Sequence, residues 1–421
     1  MAQPHPFTFR DFRCYWLARF SSTIASTAMV VVIGWQVYDI ARRTMSPRDA
    51  AFQLGLIGIV QFVPLALLTL VVGWVADRLD RRWIVRICVL AEGACAAVLA
   101  LLAWHGETTL PALFGVASVL GVTRAFANPA LQALGPNLVP PAVLPTAIAV
   151  SSVAWQTASI AGPALGGYLY AAAPWLPYAV SAGFFLTGFA AMLLIRPIPR
   201  TTIAGSAHPV RQMIDGMHYV LRNRMVLGTI SLDLFAVLLG GATAMLPVYA
   251  RDILHVGAAG LGHLRAAPAA GSALTAILLG FRPIRNNVGV KMLVAVCIFG
   301  AATIVFGLST SMPLSLVSLA VLGSSDMVSV YIRQSLIQLY TPNEMRGRVG
   351  AVSSLFISGS NELGEAESGL AANLLGPVVA VVAGGIGAIA VTLLWSRLFP
   401  QMRHARTFDP PQELESREAQ A

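Results

Sequence analysis

Apolar stretches of about 20 residues recur along nearly the whole chain, and no other feature constrains the fold as strongly. Each stretch has the length of a helix that crosses about 30 Å of hydrocarbon. The apolarity is continuous and lacks the ten-residue alternation of membrane-spanning strands. We therefore predict twelve membrane-spanning helices, at 14–38, 53–76, 84–104, 111–135, 146–171, 177–196, 226–249, 260–281, 290–309, 314–338, 349–374 and 377–398.

The composition fits a chain whose solvent is the lipid bilayer. Of the 421 residues, 56% are hydrophobic and 11% are charged, whereas a soluble domain has about 25% charged residues. Such a chain cannot cover itself with polar surface, which predicts an all-α integral membrane protein. The net charge of +9 does not indicate nucleic acid as a partner, because the basic residues fall in short loops and form no basic face. The four cysteines form no CxxC pair, so we predict no metal site and no disulfide framework.

The basic residues are divided unequally between alternate loops. With the N-terminus in the cytoplasm, 20 of the 28 basic residues fall on the cytoplasmic side and four on the opposite side. An excess of arginine and lysine marks cytoplasmic loops, so we predict that both termini are cytoplasmic and that the number of spans is even. The first apolar run is too long for a signal peptide, and we expect none.

The longest polar interruption divides the spans into six and six. Apolar residues at helical spacing in its second part predict an amphipathic helix on the cytoplasmic surface. A simple tether between the two bundles is the alternative. We predict an N-terminal six-helix bundle at 1–196, a cytoplasmic linker at 197–225, a C-terminal six-helix bundle at 226–398 and a cytoplasmic tail at 399–421.

A short internal repeat supports two related halves. At an offset of 202 residues, the stretch 138–152 lies over 340–354, and 149–152 and 351–354 both read AVSS. Each stretch begins between the fourth and fifth spans of its half. Parallel repeats of six spans with loops in register are typical of transporters. The repeat therefore predicts two pseudo-symmetric bundles.

The loop after the second span reads GWVADRLDRR. Its glycine would allow a neighbouring helix to approach closely, and its first aspartate can accept from a helix N-terminus or from arginine. Such an ionic latch forms in one conformation and breaks in another. The alternative is a charged turn that follows the charge bias of cytoplasmic loops. The predicted latch comprises Gly73, Asp77, Arg78, Arg81 and Arg82.

The fifth span carries the sequence GPALGG. Pro163 removes a backbone donor and bends the helix, while Gly162, Gly166 and Gly167 let a neighbouring helix approach. Ordinary packing of small residues is the alternative interpretation.

Several charged residues lie deep within predicted spans, and three of them are on spans four, seven and ten. A charge at mid-bilayer costs about 2.5–3.5 kcal/mol on insertion scales, so Arg124, Asp233 and Asp326 should face the protein interior. The 202-residue offset superposes Arg124 on Asp326. We predict that these residues line a pathway for substrate or protons. Neutralised structural pairing is the alternative.

Span eleven carries two glutamates three residues apart, Glu362 and Glu365, which share one helix face. Two carboxylates that close cannot both ionise cheaply, so we expect the pair to hold one shared proton. The alternative is that both carboxyl groups make fixed hydrogen bonds, for example to Asn361 or Ser368, and never change state. Arg265, in the outer half of span eight, is the predicted counter-charge.

These motifs resemble those of the major facilitator superfamily. The first loop resembles GxxxDRxGRR, with Asp80 in place of the usual glycine, and GPALGG resembles the end of a motif of drug/proton antiporters. Residues 120–124 resemble the start of the LxxxR motif, and the resemblance covers the chain from end to end. Within the superfamily the chain resembles the enterobactin-exporter-like branch, at 124–140, 231–257, 342–349 and 360–369.

The resemblance implies the major facilitator fold in a bacterial inner membrane. It also implies export of a siderophore or drug by alternating access, around a cavity lined by spans one, four, seven and ten. The energy would come from the proton motive force with no cofactor, and we expect a monomer whose partners are lipid, protons and a small molecule.

Other functions remain as alternatives. Uptake of a small metabolite by the same fold is the first alternative, because the helices do not encode the direction of transport. A membrane enzyme would need a catalytic cluster, and we predict no catalytic residues, since neither a metalloprotease motif nor a Walker A sequence occurs. A channel is disfavoured by two dissimilar halves with buried charges of both signs.

Overall fold

The computed structural model describes residues 5–197 and 209–408, apart from the side chains of residues 65, 69–78, 141, 209–212, 343 and 344. Within these ranges the chain is helical and contains no strand. The helices are α1 Arg10–Ala41, α2 Pro47–Arg78, α3 Arg81–His105, α4 Leu110–Leu134, α5 Leu144–Ala172, α6 Leu176–Leu193, α7 Pro209–Arg222, α8 Arg224–Leu239, α9 Leu246–Val248, α10 Gly257–Phe281, α11 Val288–Leu308, α12 Met312–Leu339, α13 Asn343–Leu375, α14 Pro377–Leu398 and α15 Pro400–His404.

The twelve predicted spans correspond to these helices. Ten segments of the described chain are long and apolar enough to cross a membrane. The other two predicted spans correspond to α5 and α13. The twelve-helix membrane fold predicted from the sequence is confirmed.

The first compact unit comprises the described residues of Met1–Gly205 together with Leu246–Ala266. Helix α1 is central and packs against α5 and α6, while α3 packs against α4 and α6, and α2 packs against α4. The rings of Tyr15, Tyr178 and Phe185 are fully buried in this unit. Burial of large rings between helices gives the unit a core of its own.

The second compact unit comprises the described residues of Ser206–Met245 and Ala267–Ala421. Helix α11 packs against α12 and α14, and α8 packs against α13 and α14. Leu232, Met292 and Ile332 are buried in its core. Large apolar side chains on its outside, such as Leu274 and Phe281, are exposed as expected for residues that face lipid.

The seventh predicted span is interrupted. Helix α8 ends at Leu239, and a 3-10 turn at Ala242–Met245 leads to α9 and then to a π-helical turn at Tyr249–Ile253. Two glycines, Gly240 and Gly241, mark the break, and glycine is a weak helix former. The sequence prediction did not include this break, because continuous apolarity does not show where a helix is interrupted.

The linker contains α7, as its amphipathic pattern predicted. In the second unit α7 packs against α13. The Tyr219 hydroxyl donates to the Tyr340 carbonyl at 2.6 Å, and Arg348 Nη1 lies 3.1 Å from Asp215 Oδ2. Val220 is 1% exposed. The helix is therefore fixed to the second unit.

Candidate functional site

A buried ion pair in the second unit joins Asp233 of α8 to Arg333 of α12. Asp233 is 7% exposed and Arg333 is 3% exposed. Either charge alone would be costly in this interior, so the pair neutralises both. The sequence singled out Asp233 but not its partner, because pairing between distant helices is a tertiary contact.

Asp326 lies seven residues before Arg333, about two turns away on the same side of α12. Together with Asp233, Ser325 and Phe299, it lines a cavity of about 10 Å³, which is roughly the space of one water molecule. Within the described part of the chain, Asp326 makes no hydrogen bond or ion pair. The two aspartates therefore border one cavity but differ in charge balance, since only Asp233 has a cation against it there.

Arg124 is held inside the first unit by α2. Its Nη1 donates to Gln61 Oε1 at 2.7 Å, and Gln61 is itself 7% exposed. One turn earlier on α4, a Cβ added to Gly121 would lie 2.6 Å from the Gln61 carbonyl oxygen. The glycine therefore allows α2 and α4 to approach closely, which brings Gln61 within hydrogen-bond distance of Arg124.

A buried carboxyl group that sequence reasoning missed lies on α3. Glu92 is 5% exposed, and Thr123 Oγ1 of α4 lies 2.8 Å from Glu92 Oε1. The available signal was a single glutamate within the third predicted span. That signal alone would not have revealed the threonine against it.

The two glutamates of α13 lie one helical turn apart, as predicted. Glu362 and Glu365 each take part in at least one polar or electrostatic interaction. Between them, Gly364 packs against α8, where an added Cβ would lie 3.0 Å from the Val237 carbonyl oxygen. Arg265 lies in the first unit, so its role as their counter-charge stays a prediction.

The predicted latch is described only in part. The side chains of Gly73, Asp77 and Arg78 lie outside the described residues. Asp80, which departs from the family loop, caps the N-terminus of α3, because its carboxylate accepts from Arg82 N at 3.0 Å. The same carboxylate also accepts from the Arg82 guanidinium, with 3.1 Å to Nε. A helix cap therefore explains the aspartate at this position.

Arginines near this loop bind the ends of other helices in the first unit. Arg82 Nη1 donates to the Ile195 carbonyl at 3.1 Å, and Arg86 Nη2 donates to the Met192 carbonyl at 2.9 Å, both at the end of α6. Arg81 Nη1 lies 3.4 Å from a carbonyl oxygen in the last turn of α4. Cations at helix C-termini satisfy free carbonyls and the helix dipole. The latch role of Arg81 and Arg82 stays a prediction.

The glycines of the fifth span permit close packing of α5. A Cβ at Gly162 or Gly166 would lie 2.8 or 2.9 Å from a carbonyl oxygen of α1. At Gly167 it would lie 2.5 Å from the carbonyl oxygen of Ala258 in α10. Pro163 lies inside the helix. The small residues thus bring α5 against two helices at once, and a separate bending role stays a prediction.

A network of polar contacts joins the end of α1 to the π-helical turn. We call it the α1–π network, and it comprises Tyr38, Asp39, Arg42, Arg251 and Asp252. Asp252 Oδ2 accepts from the Tyr38 hydroxyl at 2.5 Å and from Arg42 Nε at 3.1 Å. The hydrogen bond to Asp252 raises the pKa of Arg42 above its ordinary value, because it favours the charged guanidinium.

The second half of the α1–π network is centred on Asp39. Arg251 Nη1 lies 2.8 Å from Asp39 Oδ1, and Arg43 Nη2 lies 3.3 Å from Asp39 Oδ2. The Arg251 guanidinium also lies 3.8 Å from Asp252 Oδ1 and so links the two carboxylates. Sequence reasoning missed this network, because the two segments that form it are more than 200 residues apart in the chain.

The fold and these charged sites define a multi-pass membrane transporter of the major facilitator type. Comparison with known proteins supports the same class and adds a family. The model of the family described as transmembrane secretion effector matches residues 2–418. The chain therefore belongs to this family.

The chain is also similar to curated exporters along nearly its whole length. It is 28% identical over 414 residues to the enterobactin exporter EntS of Escherichia coli (strain K12), covering 95% of this chain and 94% of that protein. It is 28% identical over 413 residues to the enterobactin exporter EntS of Citrobacter koseri, with the same coverage. The predicted resemblance to this branch is thus confirmed.

Solved transporters share the fold. The nucleoside transporter NupG superposes with a TM-score of 0.69 at 14% identity, over 92% of this chain and 99% of that chain. A bacterial homolog of the human lysosomal transporter Spinster, in an inward-facing and unoccupied conformation, superposes with a TM-score of 0.71 at 16% identity. The superposition covers 96% of this chain and 99% of that chain. At such identities the likeness concerns the fold alone.

Proposed function

We propose that this protein exports a small organic molecule of the siderophore or drug-like class across a bacterial inner membrane in exchange for protons. Transport would proceed by alternating access of the two six-helix halves, with both termini in the cytoplasm. The proton motive force would supply the energy, and the protein would act as a monomer without a cofactor.

The observation that carries the coupling proposal is the difference between the two aspartates at the cavity. Asp233 is matched by Arg333, so protonating it would leave a buried cation without its partner. Asp326 has no such cation among the described residues and lies beside a space of about one water molecule. Asp326 can therefore take up a proton when the cavity is dry and release it when water enters.

The energetic demand on this group is modest. A returning proton contributes about 2.3 kcal/mol per 100 mV of membrane potential. That energy supports roughly a fifty-fold concentration gradient of substrate for each charge moved. One or two exchanging carboxyl groups are therefore sufficient to drive export.

Two observations support export as the direction. The relatives that align over 95% of this chain are named enterobactin exporters. The fifth helix carries the GPALGG sequence, which resembles a motif of drug/proton antiporters, and its glycines pack closely against α1 and α10. Enterobactin is accordingly the first substrate to test.

The α1–π network supports a moving gate. It lies at the end of α1 that the charge bias places on the side opposite the cytoplasm. A substrate that leaves on that side needs an opening there, so these contacts would break and re-form in each cycle.

Everted inner-membrane vesicles that contain the protein provide the test. Respiration acidifies their interior and makes it positive, and we expect enterobactin to accumulate inside and to leave when an uncoupler collapses the proton motive force. The uptake alternative predicts the opposite movement, in which the gradient drives substrate out of the vesicles.

A second arm of the experiment covers other substrates. Metabolites in the medium of deletion and wild-type cells are compared under iron limitation and iron repletion, and each metabolite that the deletion strain fails to release is then tested in the vesicles. If neither enterobactin nor any such metabolite shows flux that depends on the pH gradient, the proposed function is wrong.

A further inference from the structure

A second buried carboxyl group lies in the first unit, away from the cavity at Asp326. We propose that Glu92 is a second proton-binding site. Thr123 is its positioning residue, because the Thr123 hydroxyl can accept a hydrogen bond from the protonated Glu92 and donate one to the ionised Glu92. The contribution of this site to transport rests on the proposed proton coupling, whereas its existence does not.

The hydrogen-bond geometry around Thr123 fits a neutral carboxylic acid. Thr123 Oγ1 lies 2.8 Å from Glu92 Oε1 and 3.1 Å from the Leu120 carbonyl oxygen. A hydroxyl group has one proton and can donate to only one of these acceptors. Both contacts are satisfied when the Glu92 carboxyl donates to Thr123 and Thr123 donates to Leu120.

Burial favours the same protonation state. Glu92 and Thr123 are each 5% exposed. An ionised carboxylate with a single hydroxyl donor would be poorly compensated at such a position, so burial disfavours it. The resting form of Glu92 is therefore the acid, with its proton already bound.

The neighbours of Glu92 include one charge that favours its ionised form. Helix α3 packs against α4 and α6. The one charged residue of α4 is Arg124, which acts electrostatically on Glu92, and α6 has no charged residue. On α3 itself, Cys88 and Cys95 lie one turn to either side. Arg124 is thus the neighbouring charge that stabilises the carboxylate once it forms.

The exchange step needs no other reactant. The O–H bond of Glu92 breaks and its proton passes to water that enters the transport pathway. The Thr123 hydroxyl then rotates away from the Leu120 carbonyl and donates to the new carboxylate. The reverse steps reload the site.

Infrared difference spectroscopy of the full-length protein in lipid tests this assignment without a substrate. At neutral pH we expect a carboxylic-acid C=O band that is present in wild type and absent in Glu92→Gln. This band should disappear at alkaline pH as the carboxylate forms. Thr123→Val keeps the shape of the side chain but removes the hydroxyl, and should shift the band because it loses a hydrogen bond.

Glu92→Gln is suited to this test because its amide can donate to Thr123 as the acid does. Glu107→Gln changes an exposed glutamate just beyond α3 and serves as the control, which should leave the band unchanged. A neutral-pH spectrum that is identical in wild type and Glu92→Gln would overturn the assignment. A band that persists to the highest pH at which the protein stays folded would also overturn it, because Glu92 would then never exchange its proton.

Failure of the Glu92 assignment can be distinguished from failure of the proposed transport function. The infrared band reports Glu92 whether or not the protein moves enterobactin. Vesicles without gradient-driven flux would refute the transport proposal, while a missing band would refute only the assignment of Glu92.

Discussion

At the scale of single residues, two aspartates at one cavity acquire different chemistry from their neighbours. Asp233 faces an arginine in an ion pair with both partners at most 7% exposed, whereas Asp326 borders the cavity with no cation against it in the described chain. The side-chain type is the same, so the difference arises from Arg333. Asp233 is thus suited to holding helices together, and Asp326 to exchanging a proton.

We expect Asp233→Asn to destabilise the protein by about 3–5 kcal/mol, because it leaves Arg333 buried without a counter-charge. The measurement is the melting temperature of purified protein in detergent. Asp326→Asn is the matched control and should melt close to wild type. Adding Arg333→Gln to Asp233→Asn should recover much of the loss, and a single variant as stable as wild type would show that the ion pair contributes little.

Sequence alone identified some of these residues and missed others for a physical reason. The cost of burying charge predicted that Asp233 and Asp326 face inward, and both line one cavity. The cost of burial does not identify the counter-charge of Asp233, since Arg333 lies 100 residues away in the chain. Glu92 carried the same signal, but its hydrogen bond with Thr123 depends on how α3 packs against α4.

At the scale of helices, small residues determine how closely neighbours pack. Glycines on α5 face carbonyl oxygens of α1 and α10 at distances that leave no space for a methyl group. The sequence predicted this close approach from GPALGG. It did not predict the break after α8, where packing of Gly241 against Gly364 adds to the weak helix preference of glycine.

Gly166→Ala should destabilise the packing of α5 by about 1–3 kcal/mol, because the new methyl group would lie 2.9 Å from the Ala28 carbonyl oxygen. Gly183→Ala on α6 is the control, since no atom outside its own stretch of helix lies within 4 Å of its added Cβ. Melting temperatures of the two variants provide the comparison. Equal stability would mean that α1 and α5 separate at little cost.

At the scale of the whole molecule, the α1–π network links segments more than 200 residues apart. Each of its two carboxylates contacts at least one arginine within 3.1 Å. The sequence correctly predicted twelve helices from their lengths, but not this network, because its pairing depends on the path of the π-helical turn. In the proposed transport cycle these contacts close one side of the carrier.

Asp39→Arg should slow transport severely, because it places a third guanidinium beside Arg251 and Arg43 and prevents closure. Combining it with Arg251→Asp restores opposite charges and should recover a substantial part of the rate. Arg43→Ala removes an ion pair with Asp39 in which the Arg43 side chain is 69% exposed, so its transport rate should stay near that of wild type. Initial rates in vesicles report all three, and a wild-type rate in Asp39→Arg would argue against the gate.

The most direct test of the central claim compares two kinds of transport by Asp326→Asn in proteoliposomes. Counterflow exchanges labelled for unlabelled enterobactin without a net proton movement, while accumulation under an imposed pH gradient requires coupling. If Asp326 carries the coupling proton, the variant keeps counterflow and loses accumulation driven by the gradient, whereas wild type shows both. Accumulation at the wild-type level and with the wild-type pH dependence in Asp326→Asn would contradict the account.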